Sequence, residues 1–183
     1  KFISYSDNMV FTEISNELVI KCAKNPLIEN PQAISFYLNE NERGSILTGA
    51  NSGGKTTLLE HILQIITLNQ IGLPVNAENT KIPLFSEVYY FAKNKGAISK
   101  GAFENLLYQM SRIKTSTNLE NSNDSGNRVL ILADEIESVT EPGVAGNIIS
   151  ASVDYFIKKN CFLVIATHLG YEIKNNLPEK TRI

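Results

Sequence analysis

Cysteine is scarce in this sequence: Cys22 and Cys161 are the only two among 183 residues. That excludes a small scaffold stapled by disulfides. Cys161 opens the apolar run Cys161-Phe162-Leu163-Val164-Ile165, and both thiols read as reduced packing residues. No stretch approaches the roughly 18 uninterrupted apolar residues of a membrane span, so no membrane partner is expected. Residues 1–8 lack the charged head, apolar stretch and small-residue cleavage site of an export signal, and the expected location is cytoplasmic. Excess positive charge is missing as well. A formal net charge of -2 argues against a surface that grips nucleic acid through many phosphate contacts. If DNA is a partner, regions of a larger protein outside this chain are expected to hold it.

What is present is an ordinary globular balance, 43 % hydrophobic and 20 % charged. The length fits a single domain over 1–183. Residues 17–23 are β-prone, and Ile34, Phe36 and Leu38 alternate with Ser35, Tyr37 and Asn39, the period of a half-buried strand. Ser45-Ile46-Leu47-Thr48 is a short apolar strand running into a glycine-rich turn. Beyond it, Leu58, Leu59, Ile62, Leu63, Ile65 and Ile66 recur at helical spacing over 57–71, and Gly72 is the expected stop.

Residues 87–91 suggest another strand, 93–101 a polar loop, and Phe103, Leu106, Leu107 and Met110 one face of a helix. Residues 115–127 show no apolar period and read as a flexible polar loop. Val129-Leu130-Ile131-Leu132-Ala133 and residues 162–166 are continuous apolar strands of the kind buried on both faces of a parallel sheet. Between them Pro142 suits a helix's first turn, with Ala145, Ile148, Ile149, Val153, Phe156 and Ile157 as its apolar face. The expected fold is therefore α/β, a mostly parallel sheet flanked by helices with an antiparallel β portion towards the N-terminus, and with its chemistry at the carboxyl ends of the strands.

Gly49-Ala50-Asn51-Ser52-Gly53-Gly54-Lys55-Thr56 satisfies G-x-x-x-x-G-K-[ST], with an apolar strand before it and an amphipathic helix after it. Glycines let successive backbone N–H groups turn towards one phosphate, and the helix adds its positive N-terminus. Residues 49–57, Thr57 included, are the expected nucleotide cradle. Lys55 is expected to bridge the β- and γ-phosphates, and the Thr56 hydroxyl to ligate Mg²⁺. Asp134, at the end of a buried strand, is the second metal candidate, holding the ion through its water shell. Glu135 directly after it is placed to polarise an attacking water.

His168 follows the strand 162–166 and is the expected donor to the γ-phosphate, so Lys55, Glu135 and His168 form the candidate catalytic set. His61, in mid-helix, reads as structural or solvent-facing. ATP is preferred over GTP, because Asn94-Lys95-Gly96-Ala97 lacks the aspartate of a guanine-reading Asn-Lys-x-Asp. No residue points sharply to the adenine.

The phosphate loop, the Asp134-Glu135 pair and His168, in that order, resemble the ABC ATPase superfamily, and further segments resemble the MutS family of DNA-repair proteins. Gln70-Ile71-Gly72-Leu73-Pro74-Val75-Asn76-Ala77 is similar to that family's Q-I-G-x-x-V-P-A, and Asn25-Pro26-Leu27 to its His-Pro-Leu. Ser99-Lys100-Gly101-Ala102-Phe103-Glu104 resembles the signature region around Ser-Thr-Phe, in a form nearest archaeal MutS-like proteins. Asp134-Glu135-Ile136 matches Asp-Glu-Ile, whereas Glu137-Ser138-Val139-Thr140 departs from Gly-Arg-Gly-Thr and Ala50-Asn51-Ser52 from Pro-Asn-Met.

The resemblance implies a Mg²⁺-dependent ATPase in which two copies pair head to tail. Ser99, Gly101 and Ala102 of one copy would complete the other's pocket, and residues 138–141 would form the partner-contacting loop. An SMC-like or other ABC ATPase head is the alternative within the enzymes. A binding module gated by nucleotide with little hydrolysis is the alternative outside them.

Overall fold

The computed structural model describes residues 8–49, 54–92, 108–113, 128–135 and 142–183. Its strands are β1 (Met9–Val10), β2 (Glu13–Ile14), β3 (Leu18–Ala23), β4 (Ile34–Leu38), β5 (Gly44–Leu47), β6 (Val75–Asn76), β7 (Asn79–Ile82), β8 (Phe85–Phe91), β9 (Arg128–Asp134), β10 (Phe162–Ala166) and β11 (Thr181–Arg182). The helices include α1 (Lys55–Gln70), α2 (Pro142–Lys158) and the short α3 (Gly170–Ile173), which a 3₁₀ turn (Lys174–Asn176) follows; residues 108–111 are also helical. Residues 50–53, 99–107, 115–127 and 136–141, on which parts of the phosphate loop, the signature segment, the polar loop and the partner-contacting loop were expected, lie outside the described residues.

The central sheet is five-stranded and parallel throughout, in the order β11-β5-β10-β9-β8. Parity along its buried strands sorts the two cores. Leu130 and Leu132 of β9, with Phe162 and Val164 of β10, face Leu59, Ile62, Ile65 and Ile66 of α1. Ile131, Ala133, Leu163 and Ile165 face the opposite way, onto Ala145, Ile149, Val153 and Phe156 of α2. A strand with apolar residues at every position is what burial on both faces demands. The second sheet, β2-β7-β3-β4, has antiparallel pairs on both sides of β3 and shares the α1 core through Leu18, Ile20, Phe36, Leu38 and Ile82. These features agree with the fold class expected from the sequence.

Some local expectations need adjustment. In α1, Leu58 and Leu63 are only half-buried. Gly72 does end the helix, with φ 73° and its N–H donated to Asn69 O, a left-handed turn that suits glycine. His61 is buried, 4 % exposed, which corrects the solvent-facing half of its reading. Both cysteines are free. Burial pushes the Cys161 thiol up to about 11, with nearby Arg43 working the other way. Among the described residues no helix is long and apolar enough to cross a membrane.

One glycine fixes the edge that carries the site. A Cβ at Gly170, at the start of α3, would lie 2.3 Å from Cγ2 and 3.0 Å from Cβ of Thr48, just past β5. Overpacking of this sort costs about 1–3 kcal/mol. Gly170→Ala is therefore expected to lower the melting temperature by roughly 2–4 °C per kcal/mol lost, measured by calorimetry. Adding Thr48→Ser, which removes Cγ2, should restore part of the loss. No rescue would mean that the clash lies elsewhere.

Candidate functional site

Three strand ends converge on one edge. The registers Ala166↔Leu47 and Ala166↔Asp134 set the carboxyl termini of β5, β10 and β9 side by side, with β10 in the middle. Thr48 and Gly49, Glu135, and Thr167 and His168 therefore emerge together. Gly49 (φ 140°) and Gly54 (φ 75°) frame the loop in backbone conformations that side-chain-bearing residues rarely adopt. The intervening Ala50, Asn51, Ser52 and Gly53 lie outside the described residues, as do Ser99, Gly101 and Ala102.

Lys55 opens α1 and is 7 % exposed, with its Nζ donating to Gly49 O at 2.7 Å. The ammonium is thus folded back over the loop. Thr56 Oγ1 donates to Asp134 Oδ2 at 2.7 Å. Asp134 continues the even-numbered face of β9 that looks at α1, which is why it reaches the start of that helix. It belongs to the strand itself rather than following it. Its second oxygen, Oδ1, is buried with no hydrogen-bond partner among the described residues. Thr57 is exposed at the helix start.

Glu135 is 6 % exposed, and its backbone has φ 44°, a left-handed conformation for a residue with a side chain. The strain is held by its own N–H, which donates to Ala166 O at 2.9 Å across the strand ends. Such outliers collect where surrounding structure over-determines them. Glu135 Oε1 lies 2.7 Å from Nε2 of His168, whose side chain is 33 % exposed. The structure therefore brings Lys55, Thr56, Asp134, Glu135 and His168 to a single edge.

Sequence reasoning missed two features. Tyr90, on β8 and half-buried, has its hydroxyl pKa raised by burial first, then by the negative charges of Glu60 and Asp134. Beside the phosphate loop opens a cavity of about 540 Å³, bordered by Gly54 and Lys55 at one end and by Ile28, Pro31, Ile34, Thr57, Leu58, His61 and Ile183 beyond. Asn25, in the element resembling His-Pro-Leu, also borders it, and Asn25 Oδ1 accepts the Leu27 N–H at 2.9 Å. The available signal was helical: His61 falls on the stripe that includes Leu58 and Ile65.

A strand, a glycine loop and a helix whose first lysine and threonine face an acidic strand end define a P-loop nucleotide-binding domain. Residues 45–181 match the family model for MutS domain V. Relatives include the DNA-binding protein MutS2 of Pyrococcus furiosus, 35 % identical over 95 % of this chain and 31 % of the relative. The Endonuclease MutS2 of Borreliella burgdorferi is 32 % identical, over 87 % of this chain and 20 % of its own length. The DNA mismatch repair protein MSH3 of Candida glabrata is 29 % identical, over 87 % of this chain and 16 % of its own. The chain belongs to the MutS family, and its fold is that of the family's ATPase domain. It spans about a third or less of the length of these relatives.

Proposed function

We propose that this chain binds MgATP along the cradle 49–57, hydrolyses it with Glu135 and His168, and couples binding to head-to-tail closure of two copies. The observation that carries this reading is the meeting of Lys55 and Thr56 with Asp134, Glu135 and His168 at one sheet edge. The adenine goes into the adjoining apolar cavity. Lys55 exchanges its bond to Gly49 for phosphate oxygens. Glu135, anchored by its backbone and oriented by His168, draws the proton of the attacking water. His168 then turns its imidazole towards the γ-phosphate.

The residues present fit Mg²⁺. It takes oxygen ligands, commonly one or two carboxylates plus substrate phosphate, and Asp134 Oδ1 is a buried oxygen in need of a partner. Thr56 and Asp134 would hold the ion. When bound, it would supply positive charge that offsets the charge of the phosphates during transfer.

Pairing of copies is supported by where the arginines lie. Arg43, Arg128 and Arg182 sit at the amino edge of the parallel sheet, opposite the site, and Arg112 lies over the Tyr108 ring. Among the described residues, charge developing on the γ-phosphate is met by Lys55 and His168, and the facing side is left to the partner's Ser99, Gly101 and Ala102. DNA, named in the MutS2 relative of Pyrococcus, is gripped by regions outside this chain, in keeping with its net charge of -2. Closure of the pair switches those regions.

The test combines steady-state phosphate release with light scattering. The expected outcome is Mg²⁺-dependent hydrolysis and a doubling of scattering mass with MgATP but not MgADP. Nucleotide binding without turnover would leave a nucleotide-gated module. A persistent monomer at high concentration would remove the closure step.

A further inference from the structure

His61 is the histidine that the acidic strand ends do not engage, and its position gives it other work. We infer that His61 is a base-reading residue whose imidazole hydrogen-bonds the purine of the bound nucleotide. The inference rests on the nucleotide site proposed above and assigns a polar contact at its base end.

Three observations carry it. The first is placement. Thr57, Leu58 and His61 stand at i, i+1 and i+4 on α1, so one turn of helix presents all three to the cavity. His61 lies six residues, about 9 Å of helix rise, beyond Lys55, a span that an α-phosphate and a ribose bridge. The phosphate end and the base end are therefore laid out along one helix.

The second is burial. The residue is 4 % exposed, yet its ring has no hydrogen-bond partner among the described residues and borders the cavity. A ring nitrogen with no protein partner that still opens on a cavity is available to bond whatever the cavity holds.

The third is chemical fit. Ile28, Pro31, Ile34 and Leu58 make the cavity walls apolar enough to hold a flat ring. Burial lowers the His61 pKa, which keeps the ring uncharged at neutral pH. An uncharged imidazole offers one donor and one acceptor. Adenine offers the N6 amino donor and the N7 acceptor. Of the cavity's borders, Lys55 is the cationic one, and it is turned to the loop.

The experiment measures binding of Mg²⁺-ATP and Mg²⁺-tripolyphosphate, a probe with no base, by calorimetry on the wild type, His61→Phe and His61→Gln. His61→Phe keeps a flat ring without polar atoms, and it should weaken ATP binding about 5–10-fold, the worth of one hydrogen bond, while leaving tripolyphosphate within about twofold. His61→Gln, which keeps a donor and an acceptor, should retain most of the ATP affinity.

A second readout needs no folded phenylalanine variant. The wild-type His61 Cε1 proton resonance should shift with Mg²⁺-ATP and stay put with Mg²⁺-tripolyphosphate, whereas that of His168 should respond to both. Unchanged ATP affinity in His61→Phe, equal loss of both probes, or a His61 resonance indifferent to ATP would overturn the assignment. A wild type that binds neither probe would instead bring down the nucleotide site itself, and this assignment with it.

Discussion

Lys55→Ala is expected to weaken MgATP binding by two to four orders of magnitude while the domain stays folded. The lysine is nearly buried, and its ammonium already bends over the loop to Gly49 O. Triphosphate arriving there exchanges that neutral carbonyl for charged oxygens. Each hydrogen bond to a charged group is worth about 1.5–3 kcal/mol, so the loss of contacts to both the β- and γ-phosphates amounts to roughly 3–6 kcal/mol. Stability should change far less, because the bond to Gly49 O and the packing of an aliphatic stem are modest contributions to folding. Lys55→Met separates the two effects, since it keeps the stem and removes the charge. Calorimetric titration beside a thermal melt gives both numbers. A Kd within threefold of wild type in Lys55→Met would show that the ammonium does not meet the phosphates.

The phosphate loop and the acidic strand end were legible because their determinants are local. Residues 49–56 are contiguous, and the apolar runs of β9 and β10 announce strands buried on both faces. Parity could even have put Asp134 on the α1 side, since Leu130 and Leu132 share that face. Short pieces such as β6, β7 and β11 escaped notice because pairing partners, rather than their own side chains, make them strands. In Asn79-Thr80-Lys81-Ile82 only Thr80 and Ile82 are buried, too brief an alternation to stand out. The cavity was invisible for a different reason. Ile28, His61 and Ile183 come from three distant parts of the chain, and no spacing rule links them. The pairing of Glu135 with His168 is of this non-local kind as well. The two were assigned separate tasks from the sequence, and only the register of β9 against β10 makes them neighbours.

That contact shapes the expected behaviour of Glu135→Gln. The amide is nearly isosteric and can still bond to Nε2 of His168, so the left-handed backbone at 135 and its bond to Ala166 O should persist. What disappears is the capacity to take a proton. Turnover is therefore expected to fall on the order of 10²–10³-fold, the usual consequence of removing one group that acts chiefly in the transition state. KM for ATP should move little, because the cradle and Lys55 are untouched. His168→Asn asks how the work is divided. If the histidine merely orients the carboxylate, it should cost less than Glu135→Gln and add almost nothing in the double variant, as expected of residues that act as a unit. If it also meets the γ-phosphate, the double variant should be slower than either single one. Single-turnover phosphate release separates chemistry from product release in all three. Wild-type turnover in Glu135→Gln would take the proton-accepting role away from Glu135, however well the side chain is placed.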